Sequence, residues 1–333
     1  MLYAPFGEEG QARLRAAQIL IVGCGALGSH AAEYLTRAGV GSLRLADRDL
    51  VEWSNLHRQL GYEEDDARRQ SPKAEVLARH LARVNSDVTL EACVEEFNPA
   101  SADRLADGCT LYLDGTDNIL ARLLINDLSY RERRPWVYAG AIGETAHVQF
   151  FDGTKGPCLR CQLPEAPPPG TVATCDTAGV LGPTVGIAAA WQVALTLRFL
   201  AARSGDKLRG RRILTTLWNP QARIVDVEAD PECSVCVHRQ FGALEGQVTE
   251  RAAVLCGRKA VQILPAASGV SLDMAQMATQ LRDLGIVEER TGIVRVRSAE
   301  GVTLTLFRDG RAIFDGLTDT SRARSLYARF IGQ

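Results

Sequence analysis

Neither sign of charge dominates this sequence: 38 lysines and arginines face 40 aspartates and glutamates, a net charge of −2. That balance argues against a nucleic-acid binder driven by phosphate neutralisation. A secretory leader is also missing, since residues 1–10 hold no basic segment followed by an apolar run. No internal repeat recurs at solenoid spacing. A disulfide framework is not required, because 333 residues that are 46% hydrophobic and 23% charged can bury a large core. Nine cysteines, an odd number without a leader, point instead to reduced thiols, metal ligands or catalysis. Locally, charge vanishes from residues 178–197, a length that could span a bilayer. The stretch includes Gly179, Gly182, Pro183, Thr184, Gly186, Gln192 and Thr196, and it stands alone in mid-chain. It therefore reads as a buried core or interface helix, with no membrane partner, and the chain reads as cytoplasmic.

What is present has an α/β texture. Residues 18–22 (QILIV) form a short apolar run that predicts a buried strand. A glycine-rich turn follows, then a helix over residues 31–37 and a second strand over residues 42–46 ending at Asp47. This is the βαβ unit of a doubly wound, Rossmann-like, mainly parallel sheet. Residues 71–85 and 118–130 read as helices, and residues 88–94, 110–113, 136–139 and 147–151 as strands. Residues 166–170 (APPPG) are loop, and residues 212–218 and 222–227 form a hairpin around Asn219-Pro220. Beyond about residue 240 the texture changes. Strands are expected at 261–264, 292–297, 302–307 and 311–314, and helices at 272–284 and 321–331. The chain thus divides into a domain over residues 1–243 and a small α+β domain over residues 247–333.

The chemistry starts at Gly23-x-Gly25-x-x-Gly28, placed after a strand and before a helix. These glycines let backbone N–H groups approach an anion at a helix N-terminus. Asp47, about twenty residues on, suits ribose hydroxyls. Taken alone this fits NAD(P) or FAD better than ATP. Downstream, Asn55, Arg58 and Gln59, then Lys73, then Asp117 and Asn118 add a polar set at strand ends. Arg58 and Lys73 suit phosphates, and Asp117 suits Mg²⁺. Hydride transfer has no use for that set, whereas phosphoryl or nucleotidyl transfer has.

Cys158-Leu-Arg-Cys161 and Cys233-Ser-Val-Cys236 are two knuckles that together make a tetrahedral Cys₄ set suited to structural Zn²⁺, a staple closing the C-terminal part of the first domain. A redox role for one pair is the alternative reading. Cys175 precedes the uncharged helix, where a thiol can become more nucleophilic; a plain loop thiol is the other reading. Cys24, Cys93, Cys109 and Cys256 read as core or surface residues. The histidines show no ligand or triad spacing. Arg122 and Asn126 share one side of their helix and read either as lining the nucleotide site or as surface polar residues.

The segments Ser54–Gln59 (SNLHRQ), Ser71–Lys73 (SPK) and Leu113–Asn118 (LDGTDN) resemble the signature of the ThiF/MoeB/HesA family, relatives of ubiquitin-activating enzymes. The resemblance runs from about Phe6 to Cys236. It implies that backbone around Gly23, Gly25, Ala26 and Gly28 packs on ATP. By the same resemblance Asp47 binds ribose, Asn55, Arg58 and Lys73 contact phosphates, and Asp117 holds Mg²⁺, with Gln59 and Asn118 inside the same motifs. It implies adenylation of a ubiquitin-like sulfur carrier ending in Gly-Gly, for thiamine or molybdopterin synthesis, by a homodimer that works with a sulfurtransferase; adenylation of a peptide or small-molecule carboxylate, or a non-catalytic docking role on the same scaffold, is the alternative reading. It also implies a covalent or sulfur-transfer role for Cys175. The family's Arg-Tyr-x-Arg-Gln segment would precede Phe6, so the expectation is a natural start upstream of Met1.

Overall fold

A computed structural model describes residues 3–165, 179–202, 205–246, 252–255, 259–264, 271–282, 285–298, 301–320, 322–323 and 326–327. Backbone contacts divide the chain into two compact units, residues 1–248 and 249–333.

The first unit is an eight-stranded sheet of order β3-β2-β1-β4-β5-β6-β7-β8. Its strands are β1 (Gln18–Val22), β2 (Ser42–Ala46), β3 (Thr89–Cys93), β4 (Leu111–Asp114), β5 (Trp136–Ile142), β6 (Thr145–Phe151), β7 (Arg211–Thr216) and β8 (Gln221–Asp226). The pairs from β3 through β5 are parallel, and β6, β7 and β8 add antiparallel partners. Alternation within each strand feeds two cores, because successive side chains point to opposite faces. Ile19, Ile21, Leu43, Leu45, Leu111, Leu113, Val137 and Ala139 face one layer. That layer is built from α1 (Gly7–Ala16), α2 (Ala26–Ala38), α4 (Lys73–Val84) and α8 (Gly182–Ala202). Leu20, Val22, Tyr112 and Trp136 face the other, built from α5 (Ala102–Ala106), α6 (Ile119–Glu132) and α7 (Leu159–Gln162). Each fully buried Leu or Ile contributes about 1.5–3 kcal/mol, so these two layers carry the unit's stability. A short helix α3 (Glu64–Arg69) lies between the Ser54–Gln59 segment and α4.

The uncharged stretch becomes α8, which is long and apolar enough to cross a membrane. It packs against α1, α2, β5 and β6. Its buried face includes Gln192, whose Nε2 donates to the carbonyls of Asp114 and Val137, both at 2.8 Å. That single amide ties α8 to the carboxyl end of β4 and the amino end of β5.

The second unit is a six-stranded antiparallel sheet of order β11-β12-β13-β14-β10-β9. It comprises β9 (Ala252–Leu255), β10 (Ala260–Ile263), β11 (Gly285–Arg290), β12 (Ile293–Ser298), β13 (Thr303–Phe307) and β14 (Ala312–Asp315). Helix α9 (Met274–Gln280) is capped by Asp273, whose Oδ1 accepts the N–H groups of Ala275 and Gln276. Met274, Met277, Ala278 and Leu281 pack on the sheet.

Several sequence expectations change here. Helix α1 was not foreseen, because Leu14 is its one large buried side chain and no apolar stripe marks it. Helix α2 starts at Ala26, inside the glycine motif, rather than near residue 31. Strands β9 and β11 were also missed: β11 (GIVEER) is charged and gets its identity from pairing with β12. Helix α9 stops at Gln280, short of the expected residue 284. The expected helix over residues 321–331 lies mostly outside the described residues, as does the APPPG loop.

Candidate active site and metal centre

The strand order reverses between β1 and β4, the two strands whose carboxyl ends open the crevice where open α/β sheets bind ligands. The chain leaves β1 through Gly23, held at φ +89° with no room for a side chain: a Cβ there would lie 2.7 Å from the Gly115 carbonyl oxygen. Gly28 is tighter still, since its Cβ would meet the Gly23 oxygen at 1.8 Å. Gly115, after β4, closes the interlock, with Gly23 O at 2.3 Å from its would-be Cβ. Gly25 differs. It caps α2, and the nearest atoms to its would-be Cβ are Gln59 Nε2 at 3.8 Å and Gly115 O at 4.0 Å. The first turn of α2 carries no side-chain cap among the described residues, and a Cβ at Gly25 would meet no atom closer than 3.8 Å, so this helix end suits an anion by geometry and by helix dipole.

Asp47 ends β2 and braces the same loop. Its Oδ2 accepts the Cys24 N–H at 2.6 Å and its Oδ1 accepts the Asp49 N–H at 2.6 Å. Burial, and then the neighbouring Asp49, push the Asp47 carboxyl above its ordinary value, while Lys73 and the two N–H donors pull back. The buried Tyr62 hydroxyl donates to the Cys24 carbonyl at 2.6 Å from beneath. Cys24 itself is fully buried, and burial followed by Asp47 raises its thiol well above the usual range. It is a packing residue.

The segment after β2 supplies the cations. Trp53–Asn55 forms one short 3₁₀ turn, which leaves Asn55 and Gln59 buried and Arg58 half-buried, with its Nη1 donating to Ser54 O at 2.9 Å. His57 is exposed. Lys73 opens α4 and is 7% exposed, with its Nζ 3.5 Å from Asp49 Oδ2. Burial alone would lower the Lys73 ammonium; Asp49, then Asp47 and Asp117, outweigh it and hold the group charged.

After β4, Asp117 is exposed, and its carboxylate accepts no hydrogen bond among the described residues. Its neighbours are fixed. Thr116 N–H and Oγ1 donate to Asp114 Oδ1 at 2.9 and 2.8 Å, and Asn118 Oδ1 caps α6 by accepting from Leu120 and Ala121. An exposed carboxylate on a fixed turn, close enough to Lys73 to help hold that ammonium charged, suits a Mg²⁺ ion, which would add charge against phosphate oxygens.

The second cluster joins residues far apart in the chain. Cys158 caps α7 and Cys161 lies within it, and Cys233 and Cys236 sit in a turn beyond β8. All four Sγ atoms lie within 4.8 Å of one another, with Cys158–Cys233 and Cys161–Cys236 at 3.5 Å and Cys158–Cys161 at 3.9 Å. Four thiolates around one zinc at about 2.3 Å stand about 3.8 Å apart, so the set fits that ion closed, with no open position. The Tyr130 hydroxyl donates to the carbonyls of Lys155 and Pro157 and fixes the first knuckle from α6.

The profile of the ThiF family matches residues 1–235. The chain belongs to the ThiF family. It is 37% identical over 332 residues to the sulfur carrier protein ThiS adenylyltransferase of Bacillus subtilis, covering 99% of this chain and 97% of that one. It is 36% identical over 230 residues to the SAMP-activating enzyme E1 of Haloferax volcanii, covering 69% of this chain and 84% of the relative. Among solved structures, E. coli MccB with ATP aligns at a TM-score of 0.58 and 24% identity over 68% of each chain, a likeness of fold alone.

With the ThiF-family frame in place, the sequence-derived residues sort clearly. Gly23, Gly25, Ala26, Gly28, Asp47, Asn55, Arg58, Gln59, Lys73, Asp117 and Asn118 belong to the loops and turns at the carboxyl ends of β1, β2 and β4 and to the helix starts that follow them. Cys175 lies outside the described residues. Arg122 and Asn126 are not surface residues: Arg122 pairs with Asp114, and Asn126 is fully buried with Oδ1 accepting the Leu159 N–H. Sequence reasoning passed over Gly115, Tyr62 and Gln192. Only Gly115 carried a signal, as the second residue of Asp-Gly-Thr-Asp at a strand end.

Proposed function

We propose that this ThiF-family adenylyltransferase uses ATP to activate the C-terminal glycine carboxylate of a ubiquitin-like sulfur-carrier protein, a ThiS- or MoaD-like chain ending in Gly-Gly. What supports the reading is that the Gly25-capped start of α2, the Lys73–Asp49 pair and the exposed Asp117 carboxylate belong to the segments that follow β1, β2 and β4 around one switch point, with Asp117 close enough to Lys73 to help hold it charged. One carboxylate oxygen of the carrier bonds to the α-phosphorus. The bond from that phosphorus to the bridging oxygen breaks, and pyrophosphate leaves with the electron pair. The nucleophile is already an anion, so no general base is needed. Catalysis is alignment together with neutralisation of phosphate charge by Arg58, Lys73 and the α2 terminus. Mg²⁺ on Asp117 would add the charge that stabilises the departing pyrophosphate. Asp47 would accept from the ribose hydroxyls, and Asn55, Gln59 and Asn118 would contact the same nucleotide.

The Bacillus relative matches both units, which supports a ThiS-like carrier and thiamine synthesis over molybdopterin. Sulfur, delivered by a sulfurtransferase, then displaces AMP, with Cys175 as the candidate thiol. A homodimer completes the reading. The outward side of α8 carries Ala190, Trp191 and Ala194, an apolar stripe suited to a second copy. ATP–pyrophosphate exchange with purified ThiS-like and MoaD-like carriers tests the function. Exchange that appears only with a Gly-Gly carrier supports it, and a preference between the two names the pathway. No exchange with either carrier, in a protein that is folded and zinc-loaded, rejects it.

A further inference from the structure

Asp117 stands between two fixed neighbours: Asn118 is held by its cap on α6, and Thr116 is held by the side chain of Arg122. Its Nε donates to Asp114 Oδ2 at 2.9 Å, and its Nη2 donates to the Thr116 carbonyl at 2.6 Å and to the Ala139 carbonyl at 3.3 Å. The guanidinium lies 4.9 Å from the Tyr138 ring centroid. One planar cation thus joins the end of β4, the residue before Asp117, and the adjacent strand β5. Asp114 is fully buried at 0% exposure and spends its second oxygen on both Thr116 donors. Gly115 is locked in turn: its N–H donates to Val22 O at 2.8 Å, and its Cα packs against the Gly23–Gly28 loop. Arg122 is 9% exposed, and the donors described above all point inward to protein oxygens. It has the geometry of a brace rather than of a phosphate contact.

We infer that Arg122 is a positioning residue for the magnesium-binding carboxylate of Asp117, acting through the Asp114 carboxylate and the Thr116 backbone. The inference rests on the adenylation reading of the same site. A ligand on an exposed turn must be ordered before it can hold an ion, and partners behind such ligands set metal affinity through that ordering. Lysine cannot replace arginine here, because a point charge cannot serve Asp114, Thr116 and Ala139 from one rigid plane.

The test compares three proteins with the wild type: Asp114→Asn with Arg122→Gln together, Arg122→Lys alone, and Asp117→Asn. The double variant removes both buried charges and so leaves no lone carboxylate in the core. Calorimetry with the α,β-methylene analogue of ATP is run with and without Mg²⁺, and thermal melting reports folding. The double variant should bind the metal-free nucleotide as the wild type does, while half-saturating Mg²⁺ rises roughly 10–100-fold. Arg122→Lys should shift it in the same direction by less. A wild-type Mg²⁺ dependence in both variants, whatever their melting temperatures, overturns the inference. Weaker binding of the metal-free nucleotide also overturns it, since that would mark direct phosphate contact. If Asp117→Asn abolishes the Mg²⁺ effect while the other variants keep it, only the positioning role fails. If Asp117→Asn changes nothing, the assignment of Asp117 fails, and the brace fails with it.

Discussion

Two glycines of one motif, Gly25 and Gly28, should respond differently to one added methyl group. At Gly28 the new Cβ would fall 1.8 Å from the Gly23 carbonyl oxygen and 2.9 Å from its carbon. Both are backbone atoms, so α2 must move away from β1 by more than an ångström to restore ordinary contact. Overpacking against a fixed backbone costs about 3 kcal/mol or more. For a unit of this size that lowers Tm by about 6–12 °C. At Gly25 the new Cβ meets nothing closer than 3.8 Å. Gly25→Ala should cost about 1 kcal/mol, the difference between glycine and alanine as an N-cap. Yet that methyl points into the space where a phosphate would meet the α2 N–H groups. Losing one charge-assisted hydrogen bond of about 1.5–3 kcal/mol weakens nucleotide binding about 10–100-fold. Thermal melting and calorimetry of an ATP analogue read the two effects separately. Gly25→Ala binding ATP with wild-type affinity would refute the placement of phosphate at α2, and an unshifted melt for Gly28→Ala would refute the interlock.

Zinc removal by a strong chelator should melt the α6–α7 corner before the parallel sheet. The same loss should follow Cys233→Ser, with metal analysis reporting zinc in the wild type and none in the variant. Asp127 gives a pH signature. Burial raises its carboxyl to about 6, against the Ala243 N–H donated to Oδ2 and the Arg160 charge. The unfolded value is about 3.9, so the folded state keeps a proton that the unfolded chain releases. The stabilisation is whole below about pH 4 and is lost as pH rises through 6, a change of about 3 kcal/mol. Asp127→Asn keeps the acceptor for Ala243, so denaturant titrations between pH 4 and 7 should lose that slope; an unchanged slope would reject the assignment. Cys175→Ala should still form the acyl-adenylate in pyrophosphate exchange while failing to pass sulfur to the carrier. Loss of exchange itself would place this thiol in the first step instead.

Legibility followed locality. The glycine motif, the Asp47 strand end, the SNLHRQ segment and Lys73 each lie next to a strand or helix boundary that short-range pattern reveals. Even so, the start of α2 was read five residues late, because Gly25 and Gly28 look like loop until the sheet demands a close helix. Helix α1 and strand β11 escaped for the complementary reason: their residues are mostly polar, and what makes them regular is a neighbour supplied by the fold. Arg122 and Asn126 were ambiguous in sequence, since helical spacing tells which residues share a side but not what that side meets.

Residue order alone pointed to a phosphate-binding turn after the first strand, to two cysteine pairs that could share one ion, and to ATP chemistry over hydride transfer. Those conclusions need only residue type and spacing along a few turns of backbone. Only the folded chain decided that the knuckles meet across 75 residues, that Gly115 locks the Gly23 loop, and that Gln192 and Arg122 tie distant strands behind Asp117. Each of these depends on which strands lie side by side, and strand order is set by burial and crossover packing over the whole sheet, far outside the reach of any local pattern.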